Sequence, residues 1–230
     1  MSAFARLVEQ LAELLQPLFH GSAAAAAIVL FTMLVRLLVL PLSRAAARGQ
    51  KARAELQPRI AELRRRHGRN PEKLQQAVLE LHAEHKVSPL AGCLPSMLQL
   101  PAFFLLYHLF SSSEIGGRAN GLLEHELFGA PLGGRLAGAL GDGGTALLVY
   151  GALFALVTVV ALFTYRRTKA QMADSVPLDT PGAGAISAVM PYVSFFTLIT
   201  VAVVPLAAGL YMVTSSTWSA VERAVLYRSR

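Results

Sequence analysis

The chain has 230 residues, of which 54% are hydrophobic and 15% charged, with a net charge of +7. That balance argues against a water-soluble globular domain or a disordered tail and points to an integral membrane protein. The single cysteine, Cys93, lies in an apolar run; it excludes a disulfide framework or a thiolate cluster and suits a small packing residue.

Residues 2–19 place Phe4, Val8, Leu11, Leu15 and Leu18 on one helical face, with Arg6, Glu9, Glu13 and Gln16 largely on the other. Such periodicity predicts an amphipathic helix lying in the membrane interface. The stretch lacks the ordered basic, apolar and cleavage regions of a signal peptide, so the helix is expected to be retained.

Residues 23–42, AAAAAIVLFTMLVRLLVLPL, form a nearly continuous apolar run. At about 1.5 Å per residue it is long enough to cross a hydrocarbon core of about 30 Å. Inside it stands one charge, Arg36. A buried cation there costs about 2.5–3.5 kcal/mol on insertion scales, so it either snorkels to the nearer interface or faces a hydrated cavity. Thr32, one turn earlier, extends a polar stripe toward the membrane centre.

Residues 43–88 read as a charged helical hairpin. Leu56, Ile60 and Leu63 recur at helical spacing, as do Leu74, Val78 and Leu81. Between the arms, Gly68 is placed to end one helix, Asn70 to cap the next, and Pro71 to take its first position. Glutamates interleave the basic residues and the segment has no aromatic platform, which disfavours base-specific nucleic-acid binding. A solvated face, or contact with anionic lipid headgroups or ribosomal RNA, are the readings that remain. His67, His82 and His85 match no zinc-helix spacing and are expected on the surface.

A second span is expected at 89–110, with Pro89, Pro95 and Pro101 spaced six apart and Gln99 polar near its middle. Residues 111–144 are Gly-rich and read as connecting loop, with no phosphate-binding motif. A third span is expected at 145–165, followed by Arg166, Arg167 and Lys169. The last apolar block divides at Pro205 into spans 186–204 and 205–221. Eleven of the 21 Lys and Arg residues fall in 43–88, three in 166–185 and three in the tail, against one at the N-terminus and two in 111–144. The positive-inside rule therefore puts the N-terminus outside and the hairpin and C-terminus in the cytoplasm.

The element order and several strings resemble the YidC/Oxa/Alb family of membrane protein insertases. The most specific is SPLAGCLPSMLQLPAFFLLYHLF at the second span. Others are Arg36 followed by Leu40-Pro41-Leu42 and a basic hairpin, then Met190-Pro191, Pro205, Gly209-Leu210-Tyr211 and Ser215-Ser216. The likeness covers about residues 20–228. Departures from the family pattern are Met212, Ser216, Glu222 and Asp142-Gly143; a form without the large external N-terminal domain and without a lipoprotein cysteine is expected.

The resemblance implies an all-α polytopic fold: an external amphipathic helix at 1–21, a five-span core at 22–221 that includes the cytoplasmic hairpin, and a basic tail at 222–230. It further implies a bacterial cell-membrane insertase with a groove open to cytoplasm and lipid and closed outside, in which Arg36 lies. Thr32, Gln99, Tyr211 and Ser215 are assigned to the same groove. The implied partners are nascent membrane proteins and lipids, with the ribosome and a Sec-type translocon as further candidates; no cofactor, metal or catalytic residue is implied. The competing reading is a transporter or channel for an anionic solute, since an intramembrane arginine binds carboxylate or phosphate equally well. The expected spans contain no Asp or Glu to couple protons, and no Ser/His, Asp/Asp or His-Glu-x-x-His set of an intramembrane enzyme.

Overall fold

The structure is a computed structural model, and it describes residues 2–68, 70–85, 104–115, 117–173 and 188–226. Helices dominate. Helix α1 (Ser2–Phe19) is joined by a short 3₁₀ turn to the long α2 (Ala23–His67), and α3 (Pro71–Glu84) follows. The described part of α4 covers 104–111. Two small strand pairs come next, then α5 (Leu136–Asp142), α6 (Gly144–Ala173), a 3₁₀ segment (Met190–Phe195), α7 (Phe196–Val203) and α8 (Leu206–Leu226).

Helix α1 is amphipathic in a divided way. Val8 and Ala12 are buried in one core with Ala24, Ala27 and Ile28 at the start of α2, while Leu7, Leu14 and Leu18 remain exposed. The alanines of α2 let the helices approach closely, and each large apolar side chain sealed there contributes about 1.5–3 kcal/mol.

The first span and the first arm of the hairpin form one helix of 45 residues, running through Pro41 and Pro58. Nothing in 43–55 breaks helical geometry, so the helix continues from the apolar run into the charged one. Leu56, Ile60 and Leu81 make a small core of their own, supported by Leu63 and Val78. At the start of α3 the Asn70 side chain accepts the Lys73 N–H at 3.1 Å, and Pro71 occupies the first turn. Arg59 and His85 meet at 2.7 Å, tying the end of α3 to the α2 arm. One expectation is corrected: His82 is not on the surface but 5% exposed, its Nδ1–H donating to the Val78 carbonyl at 2.7 Å. It follows the buried Leu81; the bond within its own turn satisfies Nδ1, while Nε2 is buried without a hydrogen-bond partner.

Leu106, Leu109 and Phe110 of α4 belong to the main core. The earlier part of the expected second span, with Gln99, Cys93 and the three prolines, lies outside the described residues.

The 111–144 region is more ordered than its glycines suggest. Glu114–Ile115 pairs antiparallel with Arg118–Ala119, and Glu126–Leu127 with Ala130–Pro131. Strands of two residues are too short to show alternation in a sequence. The second pair turns through Phe128 (φ 50°) and Gly129 (φ 81°), the left-handed pair that a tight hairpin requires. Asn120, 4% exposed, donates its amide to the Leu109 and Ser112 carbonyls at 2.8 and 3.0 Å, satisfying acceptors that the end of α4 leaves open.

This loop is stitched to the start of α8. Pro205 follows an extended Val204, and the amides of Leu206 and Ala207 donate to the carbonyls of Gly134 and Leu132, each at 2.9 Å. Tyr150 of α6 donates its hydroxyl to the same Gly134 carbonyl at 2.7 Å. The loop thus caps one end of the helical core, and Leu122, Ala130 and Leu132 are buried beneath it.

Helix α6 runs 30 residues, about 45 Å, and continues past the expected span end at 165. Tyr150, Leu153, Val157 and Ala161 form its buried stripe, while Leu148, Leu156, Val159 and Phe163 are exposed. An apolar surface that wide is foreign to soluble monomers and fits contact with lipid. At Gly209 of α8 an added Cβ would stand 3.2 Å from Leu153 Cδ2, so α6 and α8 touch there through the absence of a side chain. Among the described residues two helical stretches are long and apolar enough to cross a membrane, within Arg6–His67 and Gly144–Met172; Met190–Val203 is apolar but shorter.

Candidate functional site

Helices α2, α6, α7 and α8 and the 3₁₀ segment before α7 enclose a cavity of about 320 Å³. It is polar and roomy enough to hold several waters. Arg36 enters from α2. Its Nε donates to Ser215 Oγ at 3.1 Å, and its Nη2 donates to the same oxygen. Ser215 is 8% exposed, so a charged donor meets a neutral acceptor in a largely enclosed position. Tyr211 precedes it by one turn on α8, with its ring centroid 5.9 Å from that of Phe110 on α4.

Apart from Arg223, the remaining polar lining is hydroxyl. Thr164 comes from α6, Ser194 and Thr197 from the segment around the start of α7, and Ser216 and Ser219 from α8. Several of these hydroxyls donate to carbonyls of their own helices: Ser219 to Ser215 at 3.0 Å, Ser194 to Pro191 at 2.9 Å, and Ser216 to Met212. A hydroxyl whose proton is committed this way still has lone pairs to accept from water or a peptide N–H. The hydroxyls therefore make the wall polar without adding charge, and the Arg36 guanidinium supplies positive potential. Arg223, in the last turn of α8, lines the same cavity. No nucleophile–base pair is present in this lining, and no cluster of three or more potential metal ligands occurs among the described residues.

Of the residues assigned from sequence, Arg36, Tyr211 and Ser215 meet at this cavity. Thr32 is 1% exposed and donates its hydroxyl to the Ile28 carbonyl at 2.7 Å; it packs in the core and is not part of the lining. Gln99 lies outside the described residues. Sequence reasoning missed Thr164, Ser194, Thr197, Ser216, Ser219 and Arg223. For the α8 group a signal exists: positions 212, 216, 219 and 223 repeat at four, three and four, the period of one helical face. Thr164 and Ser194 carry no such signal, because only the packing of α6 against the 3₁₀ segment brings them together.

The profile of the 60Kd inner membrane protein family matches residues 15–230. The chain belongs to this family. It is the insertase family that the second-span string and the Arg36 exit pattern resemble. The chain is similar to a membrane protein insertase YidC of Clostridium perfringens, 43% identical over 98 residues that make 42% of this chain and 41% of that protein. With a YidC of Magnetococcus marinus the identity is 44% over 90 residues, 39% of this chain and 16% of the other. With that of Chlorobium limicola it is 34% over 143 residues, 61% and 23% respectively. The aligned stretch thus spans less than half of each relative's length.

Proposed function

We propose that this protein is a membrane protein insertase of the bacterial cell membrane, built as five spans with the N-terminus outside and the hairpin and C-terminus in the cytoplasm. The observation that carries the proposal is the placement of Arg36 against Ser215, within a hydroxyl-lined cavity, in a chain of this family. The mechanism follows from solvation. A nascent membrane protein must carry a short polar segment, often acidic, through hydrocarbon, where an uncompensated charge is expensive. A wet cavity reaching partway shortens the dry path, and a fixed guanidinium attracts carboxylates where screening is weak. The apolar segment then leaves sideways into lipid.

The asymmetry of the cavity supports this orientation. The cavity lining follows α8 from Tyr211 toward Arg223, away from the end where Leu206 and Ala207 are bonded to the outer loop. One end is capped and the other carries the basic residues, as a cytoplasm-facing acceptor requires. The clients are nascent membrane proteins, and no cofactor is needed for a step in which no bond changes. The ribosome and a Sec-type translocon remain candidate partners through the basic hairpin and tail.

Purified protein in liposomes tests the proposal. Integration of a small single-span client without other factors is the expected result. Release of an entrapped carboxylate or phosphate solute, with no client integration, would favour an anion carrier and overturn it.

A further inference from the structure

The cavity has two cations, and they occupy different environments. Arg36 is held on buried Ser215, whereas Arg223 is exposed in the last turn of α8. From Ser215 to Arg223 is eight residues of one helix, a rise of about 12 Å. Ser216 and Ser219 fill the interval on the same cavity wall, their hydroxyl protons committed to backbone carbonyls. The result is a polar track on α8 with a guanidinium at each end.

We propose that Arg223 is a second, specificity-determining station for the client, so that the cavity is tuned to translocated segments carrying two carboxylates rather than one. The inference rests on the insertase reading and names its preferred substrate. An extended segment advances about 3.3 Å per residue, so acidic residues about four apart span the 12 Å track and engage both cations at once. Arg223 is met first. Being exposed, it acts by attraction that salt screens over about 8 Å at 0.15 M and about 3 Å at 1 M. Arg36 is met second, and its enclosure makes its pull far less sensitive to salt. Glu222, beside Arg223 in sequence, has its Oε1 buried without a hydrogen-bond partner and its carboxylate lies near enough to attract Arg36, so the track carries two positive charges against one negative and stays net positive toward a client.

The test uses full-length protein in liposomes and three single-span clients whose translocated segments carry no aspartate, one, or two spaced four apart. Initial insertion rates are normalised to the amount of each variant in the bilayer and expressed relative to the client without aspartate. Arg223→Gln is expected to lower the two-aspartate ratio about threefold at low salt, in keeping with the size of exposed ion pairs, and to lose most of that effect at 1 M salt. Arg223→Lys keeps the charge and should keep the ratio. Arg36→Ala should lower the one- and two-aspartate ratios at both salt concentrations. Arg167→Gln, the same charge loss away from the cavity, controls for net charge. If Arg223→Gln leaves the ratios unchanged while Arg36→Ala lowers them, Arg223 is only a solvated surface residue and the insertase reading stands without it. Loss of the ratio in Arg223→Lys as well would overturn a role for charge at that position. If neither arginine moves any ratio, the electrostatic groove fails, and this inference with it.

Discussion

Ser215 Oγ accepts two N–H donors from Arg36, a residue 179 positions away in sequence. A half-buried guanidinium that loses this acceptor forfeits a hydrogen bond of the charged class, about 1.5–3 kcal/mol. Ser215→Ala is therefore expected to lower the unfolding free energy by about 2 kcal/mol, read by denaturant titration in mild detergent. A double-mutant cycle with Arg36→Ala should return a coupling of about 1–2 kcal/mol; additive losses would mean that the two side chains act independently. Asn120 makes a parallel case at the other end of the molecule, because its amide closes two carbonyls at the end of α4. Asn120→Ala should cost about 2 kcal/mol and loosen the 111–144 loop, visible as faster hydrogen exchange at 114–132. Neither partner is legible in the sequence. Arg36 stands out alone, as a charge in an apolar run, but its acceptor is chosen by helix packing. Thr32 shows the limit of a spacing argument: it shares a face with Arg36, yet its hydroxyl is satisfied by its own helix.

At the scale of elements, the local devices are the readable ones. Asn70 and Pro71 announce the start of α3 because a cap acts within one turn, and Pro205 announces the break before α8 because proline supplies no amide. The union of the first span with the hairpin arm was hidden, since helical geometry continues through a change from apolar to charged sequence. The order within 111–144 is hidden too, as pairs of two-residue strands leave no period to detect. The hairpin has its own core of Leu56, Ile60 and Leu81, apart from the main one. Deleting about Gln57 to Glu84 should accordingly leave the remaining helices folded while impairing insertion, if the hairpin receives clients. Near-normal circular dichroism and membrane abundance with reduced insertion is the expected pattern; loss of the protein from the membrane would make the hairpin a structural element instead.

At the scale of the whole molecule, charge distribution, apolar runs and family strings are all properties of the sequence, and together they led to the family that the profile match supports. What they do not contain is the closure of one cavity end by Gly134 and Leu132, which depends on two backbone carbonyls meeting the start of α8. The proposed orientation predicts that cysteines placed near Leu123 react with an impermeant reagent from outside, while those near Arg65 and Met172 are spared; labelling of the hairpin from outside would reverse the groove. The central claim is that the cavity receives the polar part of a client through a fixed positive charge. Its most direct test is the insertion of paired clients that differ only in the charge of the translocated segment, normalised to the membrane abundance of each Arg36 variant. Arg36→Lys should insert acidic clients nearly normally, Arg36→Ala should lose them selectively, and Arg36→Glu should be worst because repulsion acts where screening is weak. Equal handling of acidic and neutral clients by Arg36→Ala at normal abundance would contradict the claim and leave Arg36 only one of several groups that keep the cavity wet.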